Sequence, residues 1–360
     1  LELPGSVFGR TRAYGMREVI GYAPIEADGS VQVQVPANVP VSFEILDANG
    51  RKTEQNHPFW LQFRPGEVVE CNGCHDADSP LPHGRLSAAP PSVHDGASGS
   101  GALYPNTDSA MWADEQGDTM ARIRNRQLCG GACEPTMDVR FTDVWTDSAV
   151  RTPDPDISYL YDDLTTDQPM SDATCDSSWH SLCRSIIHYE QHIHPLWSVD
   201  RGENTCITCH TGDNAGTAVV PDAQLDLTDG ADEDEADHFA AYHELLYPDY
   251  VQEVNEEGLL VDLLVPQTDA DGNQLYETDE DGNPVLDSDG NPIPLPDVPV
   301  AVDGGPSMIA GSAAAGRFLG IFDTGGVHAG YLTDAEKRLI AEWLDIGAQY
   351  YNNPFDVPVD

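Results

Sequence analysis

Two five-residue stretches carry chemistry on their face: Cys71-Asn72-Gly73-Cys74-His75 and Cys206-Ile207-Thr208-Cys209-His210. In each, two thiols stand three positions apart and an imidazole follows at once, the C-x-x-C-H pattern of covalent c-type haem attachment. The spacing has a chemical reason, because both thiols add to vinyl groups of one porphyrin and the next residue offers its imidazole to the iron. Cys71 and Cys74 would hold a first haem with His75 as proximal ligand. Cys206 and Cys209 would hold a second, with His210 proximal. Two C-x-x-C pairs can also build a four-thiolate zinc site, and one alone can be a thioredoxin-like redox pair. Neither alternative accounts for a His directly after both pairs.

The sixth position of each iron decides the chemistry. A second His gives a low-potential electron-transfer centre, Met raises the potential, and an open site permits reaction of a ligand. Candidates for the first haem are His192, His57 in Asn-His-Pro-Phe-Trp and His83 in Leu-Pro-His-Gly-Arg. His192 ranks first, because the helix expected to carry it is pinned by Pro195 and Trp197 between the two haem regions. His328 lies in Gly-Gly-Val-His-Ala-Gly, where a glycine-framed turn lets an imidazole approach a flat ring closely.

The elements that must position these groups read as α+β and loop-rich. Residues 1–70 form a small antiparallel β unit, with Val31, Val33 and Val35 alternating and a second run from Val41, bracketed by the turn pairs Asp28-Gly29 and Asn49-Gly50. Residues 71–175 are rich in Pro, Gly, Ser and Asp, and are expected to wrap irregularly around the first haem. Residues 176–360 form a helical, cytochrome c-like region around the second haem, with an acidic insertion over 265–300.

Within that last region, 177–194 reads as a helix with His188 and His192 one turn apart and His180 and His194 pointing elsewhere. A second helix spans 232–247 and stops at Pro248. Small residues over 309–322 suggest a closely packed helix, and Thr333-Asp-Ala-Glu336 is a capping box for one whose Leu339, Ile340, Trp343 and Leu344 face a core. The insertion repeats Asp-x-Asp-Gly-Asn at Asp269, Asp279 and Asp287. Tight surface turns are the first reading, and calcium the second, since D-x-D-G resembles half a calcium loop but no bidentate Glu follows.

Composition sets the surroundings. The net charge is -45 and the only lysines are Lys52 and Lys337, which disfavours nucleic acid and anionic membranes and favours basic partners, cations or a salty habitat. No apolar run approaches a transmembrane span. The opening Leu-Glu-Leu-Pro-Gly has neither an initiator Met nor a basic leader, so the numbering is expected to start inside a longer precursor. Covalent haem implies a periplasmic or extracellular compartment, in which Cys129, Cys133, Cys175 and Cys183 can form disulfides. Three connectivities are possible, and local pairing of Cys129 with Cys133 and Cys175 with Cys183 is the simplest.

The segments G-Y-A-P-I-E-A-D-G-S-V-Q-V-Q-V-P-A-N-V-P, R-P-G-E-V-V-E-C-N-G-C-H, H-I-H-P-L-W and L-T-D-A-E-K-R-L-I-A-E-W-L-D-I-G-A-Q-Y-Y resemble the dihaem region of hydrazine synthase alpha subunits and related multihaem cytochromes. The resemblance covers residues 17–85 and 185–350. It implies a bis-His second haem whose distal ligand lies downstream, by position His328. It also implies N–N bond chemistry at an unusually ligated haem served by a zinc and a Tyr. Here Asp-Ala-Asp-Ser follows His75, with no Tyr before Tyr104.

Together these features describe a secreted dihaem c-type cytochrome that passes electrons between its haems and to redox partner proteins or to copies of itself, in one variant as a filament. As an electron carrier it would not be an enzyme. The alternative is a haem enzyme of nitrogen-compound or peroxide chemistry, with an open first haem. A third reading, a calcium-stabilised surface protein, draws on the acidic repeats.

Overall fold

The computed structural model describes residues 15–56, 60–71, 108, 110–111 and 118–353. Along the chain the elements are β1 (Pro40–Val41), β2 (Glu44–Leu46), β3 (Lys52–Asn56), β4 (Leu61–Gln62), α1 (Met120–Cys129), β5 (Val139–Phe141), β6 (Ile157–Tyr159), α2 (Pro195–Ser198), α3 (Cys206–Cys209), β7 (Asp213–Asn214), β8 (Thr217–Ala218), α4 (Ala240–Leu246), β9 (Gln252–Val254), β10 (Leu260–Asp262), β11 (Leu264–Val265), β12 (Val298–Pro299) and α5 (Asp334–Asp345). The architecture is mixed α and β: short antiparallel two-stranded ladders, few helices and much irregular chain. Among the described residues no helix is long and apolar enough to cross a membrane.

The chain divides into two compact units that interleave in sequence. One comprises Met16–Ile187 with Thr333–Ile346, the other His188–Leu332 with the chain from Gly347 onward.

In the first unit, β2 and β3 form a hairpin about Asn49-Gly50, where the Asp47 carboxylate accepts the amides of Asn49 and Arg51 and Gly50 takes a positive φ of 72°. The Asp28-Gly29 turn is anchored differently, since Asp28 is buried and accepts the Met120 amide at the start of α1. Val31, Val33 and Val35, expected to form a strand, lie outside every ladder. Val31 is exposed, and Gln34 makes a single backbone bond to Cys133. Alternation alone was misleading here, because among the described residues no neighbouring strand supplies a second row of partners.

Helix α1 is capped by Thr119 and stopped by Gly130 in the left-handed region, and Met120, Ile123 and Trp145 form a core cluster. Disulfides join Cys129 to Cys133 and Cys175 to Cys183, the local pairing expected. The second of these explains why 177–194 is not one helix. It closes a loop, after which Ser185 bridges to both Val19 and Met170 and the backbone runs extended. Only Tyr189–Ile193 wind, as a wide π-type turn closed by the His194 amide on the Tyr189 carbonyl at 2.8 Å.

Helix α5 begins with the expected capping box, Thr333 Oγ1 accepting the Glu336 amide while Glu336 accepts that of Thr333. Nearly all of its length is buried, Arg338 and Glu342 included.

In the second unit the helix expected over 232–247 shortens to α4, because the Asp232 amide donates to the His238 carbonyl and the Asp232 carboxylate accepts the amides of Asp234 and Glu235, making a compact turn instead. The helix expected over 309–322 is also absent apart from a single 3-10 turn at Leu319–Phe322. Gly311 has a φ of 87°, which breaks helical winding, and at Gly316 a Cβ would lie 3.4 Å from the Ile309 backbone nitrogen. The acidic insertion leaves β11 and returns as β12. Each of its three Asp-Gly-Asn repeats is a tight turn, with Gly272, Gly282 and Gly290 at φ of 83–85°.

Candidate functional site

The second motif lies on a single helical turn. Helix α3 runs from Cys206 to Cys209, and the His210 amide closes it on the Cys206 carbonyl at 3.0 Å. One turn brings residues three apart to the same face, so both thiols share a side while His210 leaves the helix at its end. Neither Cys206 nor Cys209 takes part in a disulfide.

The following chain fixes the imidazole. His210 Nδ1 lies 2.9 Å from the Asp222 carbonyl and 3.3 Å from that of Leu225, and the Leu227 amide donates to the His210 carbonyl at 3.0 Å. Facing carbonyls require a proton on Nδ1, which leaves the Nε2 lone pair for a metal.

Opposite stands His328, its ring centre 6.1 Å from that of His210. Two bonds of about 2 Å from facing imidazole nitrogens to one metal put ring centres about 6 Å apart. The His328 amide is held by the Ile321 carbonyl at 2.9 Å, and its ring lies near Phe322 and Tyr331, with centroids 5.7 and 5.0 Å away. Gly326 is required at this turn, since a Cβ there would meet the Ile321 carbonyl oxygen at 2.2 Å. Burial first, and His210 second, lower the His328 pKa, keeping the imidazole neutral and able to ligate. Its Nδ1 is buried without a hydrogen-bond partner. Two adjacent thiols, an imidazole oriented by carbonyls and a facing neutral imidazole fit a covalently attached haem.

Of the other candidates, Cys71 is exposed, while Cys74, His75, His57 and His83 lie outside the described residues. His192 is buried and its Nδ1 accepts the His188 amide at 2.9 Å, an arrangement that keeps the proton on Nε2. His238, also buried, stacks on Tyr350 at 3.8 Å, and burial lowers its pKa to about 4. Among the described residues, the three-donor cluster Cys175, His180 and Cys183 has both sulfurs committed to a disulfide. In the acidic insertion Asp269, Asp279 and Asp287 each spend one carboxylate oxygen on two backbone amides of their own turn.

Sequence reasoning missed the support behind His210. Asp222 and Leu225 contribute only carbonyls, which no side chain advertises. Glu244 on α4, which accepts the Asp226 amide, is one acidic residue among many.

What the fold and donor set define is a loop-rich protein of mixed α and β structure in which a C-x-x-C-H turn faces a second histidine, an arrangement that fits a haem. A family profile described as the hydrazine synthase alpha subunit middle domain matches residues 6–76, a segment that includes the first C-x-x-C-H. Over 344 residues the chain is 25% identical to hydrazine synthase subunit alpha of Kuenenia stuttgartiensis, covering 95% of this chain and 34% of that protein. The chain therefore spans about a third of the length of this relative. No solved structure matches it.

Proposed function

We propose that the chain is a haem-bearing component of nitrogen-compound redox chemistry related to that of hydrazine synthase, in which the second motif is an electron-transfer centre. The similarity to the alpha subunit favours this over electron carriage alone as the role of the protein. The observation that carries the second part is the facing of His210 and His328 at 6.1 Å, with Nδ1 of His210 turned to the Asp222 carbonyl.

In this reading Cys206 and Cys209 anchor the haem, His210 is proximal and His328 distal. When bound, the group would be held between His210 and His328 and would supply one-electron exchange. The chain's own residues orient both imidazoles, His210 through the Asp222 and Leu225 carbonyls and His328 through the turn at Gly326, so little rearranges when the charge changes. The first motif, Cys71 to His75, is the attachment point of the other haem and the place for substrate chemistry. A periplasmic or extracellular setting goes with covalent attachment and with the two disulfides. The acidic surface suits basic redox partners or companion subunits.

A pure electron carrier remains the second reading, favoured by the same His210–His328 pair if the first iron is also saturated. Visible and low-temperature EPR spectra of oxidised and reduced protein, with haem counted by pyridine haemochrome, separate the two. The expected result is two haems, one low-spin and indifferent to cyanide, the other shifting with cyanide or hydroxylamine. Two indifferent low-spin haems would replace the enzymatic reading with the carrier, and a chain without haem would overturn both.

A further inference from the structure

Behind the proximal histidine the structure builds a second layer. The segment 222–228 presents the Asp222 and Leu225 carbonyls to His210 Nδ1 and donates the Leu227 amide to the His210 carbonyl. Asp226 ties this segment to the far side of the motif, its Oδ2 accepting the Gly212 amide at 2.8 Å while Oδ1 accepts both the amide and the hydroxyl of Thr228. The Asp226 amide in turn donates to the carboxyl of Glu244 on α4. Glu244 is thus joined to His210 through one hydrogen-bonded loop whose contacts to the imidazole are backbone carbonyls.

We propose that Glu244 is a positioning and tuning residue for the second haem site: it holds the loop that orients His210, and it takes up a proton when the iron is reduced. The inference deepens the electron-transfer reading of this site and rests on it. In the coupled step a one-electron donor reduces ferric iron to ferrous, and one proton from solvent enters the Glu244 carboxylate. No other bond forms or breaks. A negative carboxylate stabilises the more positive oxidised site, and a neutral carboxyl removes that preference.

The surroundings make Glu244 suitable. It is half-buried, and desolvation drives its pKa up to about 8 against the opposing Asp226 amide, with the carboxylates of Asp249, Asp226 and Asp232 adding to the rise. Tyr189, buried and neutral, also faces it. Asp249 is itself raised by burial and has one carboxylate oxygen without a partner. On the same helix, His243 is engaged at 3.0 Å by Asp232. These are the groups whose titration must be separated from that of Glu244. As pH rises through the Glu244 pKa the carboxyl ionises, so the potential of the second site should fall. The limiting slope is about 59 mV for each tenfold change in proton activity, for one electron and one proton.

The test is a redox titration of the haem-loaded protein followed at the low-spin absorbance, between pH 6 and 9.5. The Glu244→Gln, Glu244→Asp and Asp249→Asn variants are compared with the wild type. Gln keeps an oxygen for the Asp226 amide but cannot ionise, so E244Q should retain the low-spin spectrum, lose the slope and show a higher potential above pH 8. E244D should retain a slope, and D249N should leave it in place. Infrared difference spectra should show a protonated carboxyl band on reduction that vanishes in E244Q. A pH-independent wild-type potential, or a slope that survives in E244Q, overturns the proposal. Absence of a low-spin haem in the wild-type protein overturns instead the electron-transfer reading on which it stands.

Discussion

Two buried polar clusters in this protein are built on opposite plans. In the first unit, Arg338 on α5 is 1% exposed and uses all five guanidinium donors: two on Glu342, one on Asp138, and one each on the carbonyls of Met137 and Tyr159. The Tyr161 ring lies 3.8 Å below it, and the hydroxyls of Tyr22 and Tyr161 both reach Glu342. Every strong group is answered from within the chain. At the second motif the reverse holds. His210 has one nitrogen committed to carbonyls and the other facing a neutral imidazole whose Nδ1 has no partner. A closed network ties a helix to a β ladder, whereas an open arrangement of ligating atoms is built to receive something. Burial and polarity are shared by both, so it is two imidazoles facing one another across 6.1 Å that separate a site from a structural cluster.

The largest expected effect comes from opening the closed cluster. Arg338→Met removes the cation and leaves Glu342 and Asp138 buried together, which costs about 3–5 kcal/mol of stability. Urea unfolding measures it. A loss below about 1 kcal/mol would mean that the cluster relaxes or hydrates, and the contrast with the second motif would lose its basis.

How much of this contrast was legible beforehand depended on distance along the chain. The disulfide pairs, the α5 capping box and the Asp-Gly-Asn turns are each complete within a few residues, so they could be read directly. The helix expected over 177–194 was not, because the spacing of its histidines gave no sign that a disulfide and the Ser185 bridges would claim the backbone first. The pattern of core-facing Leu339, Ile340, Trp343 and Leu344 left the role of Arg338 unspecified. Apart from Glu342 one turn on, its partners lie about 180 to 200 residues earlier, beyond any local pattern. The carbonyls that orient His210 belong to residues whose side chains have no part in the contact.

His238 sharpens the comparison, being a buried histidine with an unpartnered Nδ1 but a ring face covered by Tyr350 rather than by another imidazole. The unfolded chain binds a proton on this residue near pH 6.5, while burial delays protonation of the folded chain to about pH 4. Its contribution is therefore fully present above pH 6.5 and is lost as the pH falls toward 4, a change on the order of 3 kcal/mol. Urea midpoints from pH 4 to 7.5 should show this fall, and His238→Phe should flatten it. An unchanged slope in that variant would assign the acid sensitivity to other groups.

His328→Ala should do the opposite of Arg338→Met, costing only about 1 kcal/mol of stability while changing the spectrum completely. Removing the distal imidazole should convert a low-spin iron to high-spin and open it to cyanide, with added imidazole restoring the original bands. A spectrum that stays low-spin would hand the sixth position to another residue. His192→Ala is the control, since its Nδ1 is already occupied by the His188 amide, and the low-spin signal of the second site should survive it.

The smallest effect is expected where carboxylates are numerous but answered by their own turns. Asp279 accepts the amides of Asp281 and Asn283 and has no longer-range partner among the described residues, so Asp279→Ala should loosen one exposed turn and lower the melting temperature less than any change above. The amide contacts and the adjacent Asn283 hold its pKa below the ordinary carboxylate value, so acid should reach this turn only after the buried histidine has titrated. Melting curves with and without millimolar calcium test whether Asp269, Asp279 and Asp287 have capacity beyond these turns. A calcium-dependent rise that disappears in Asp279→Ala would move the acidic insertion from the closed class of cluster to the open one.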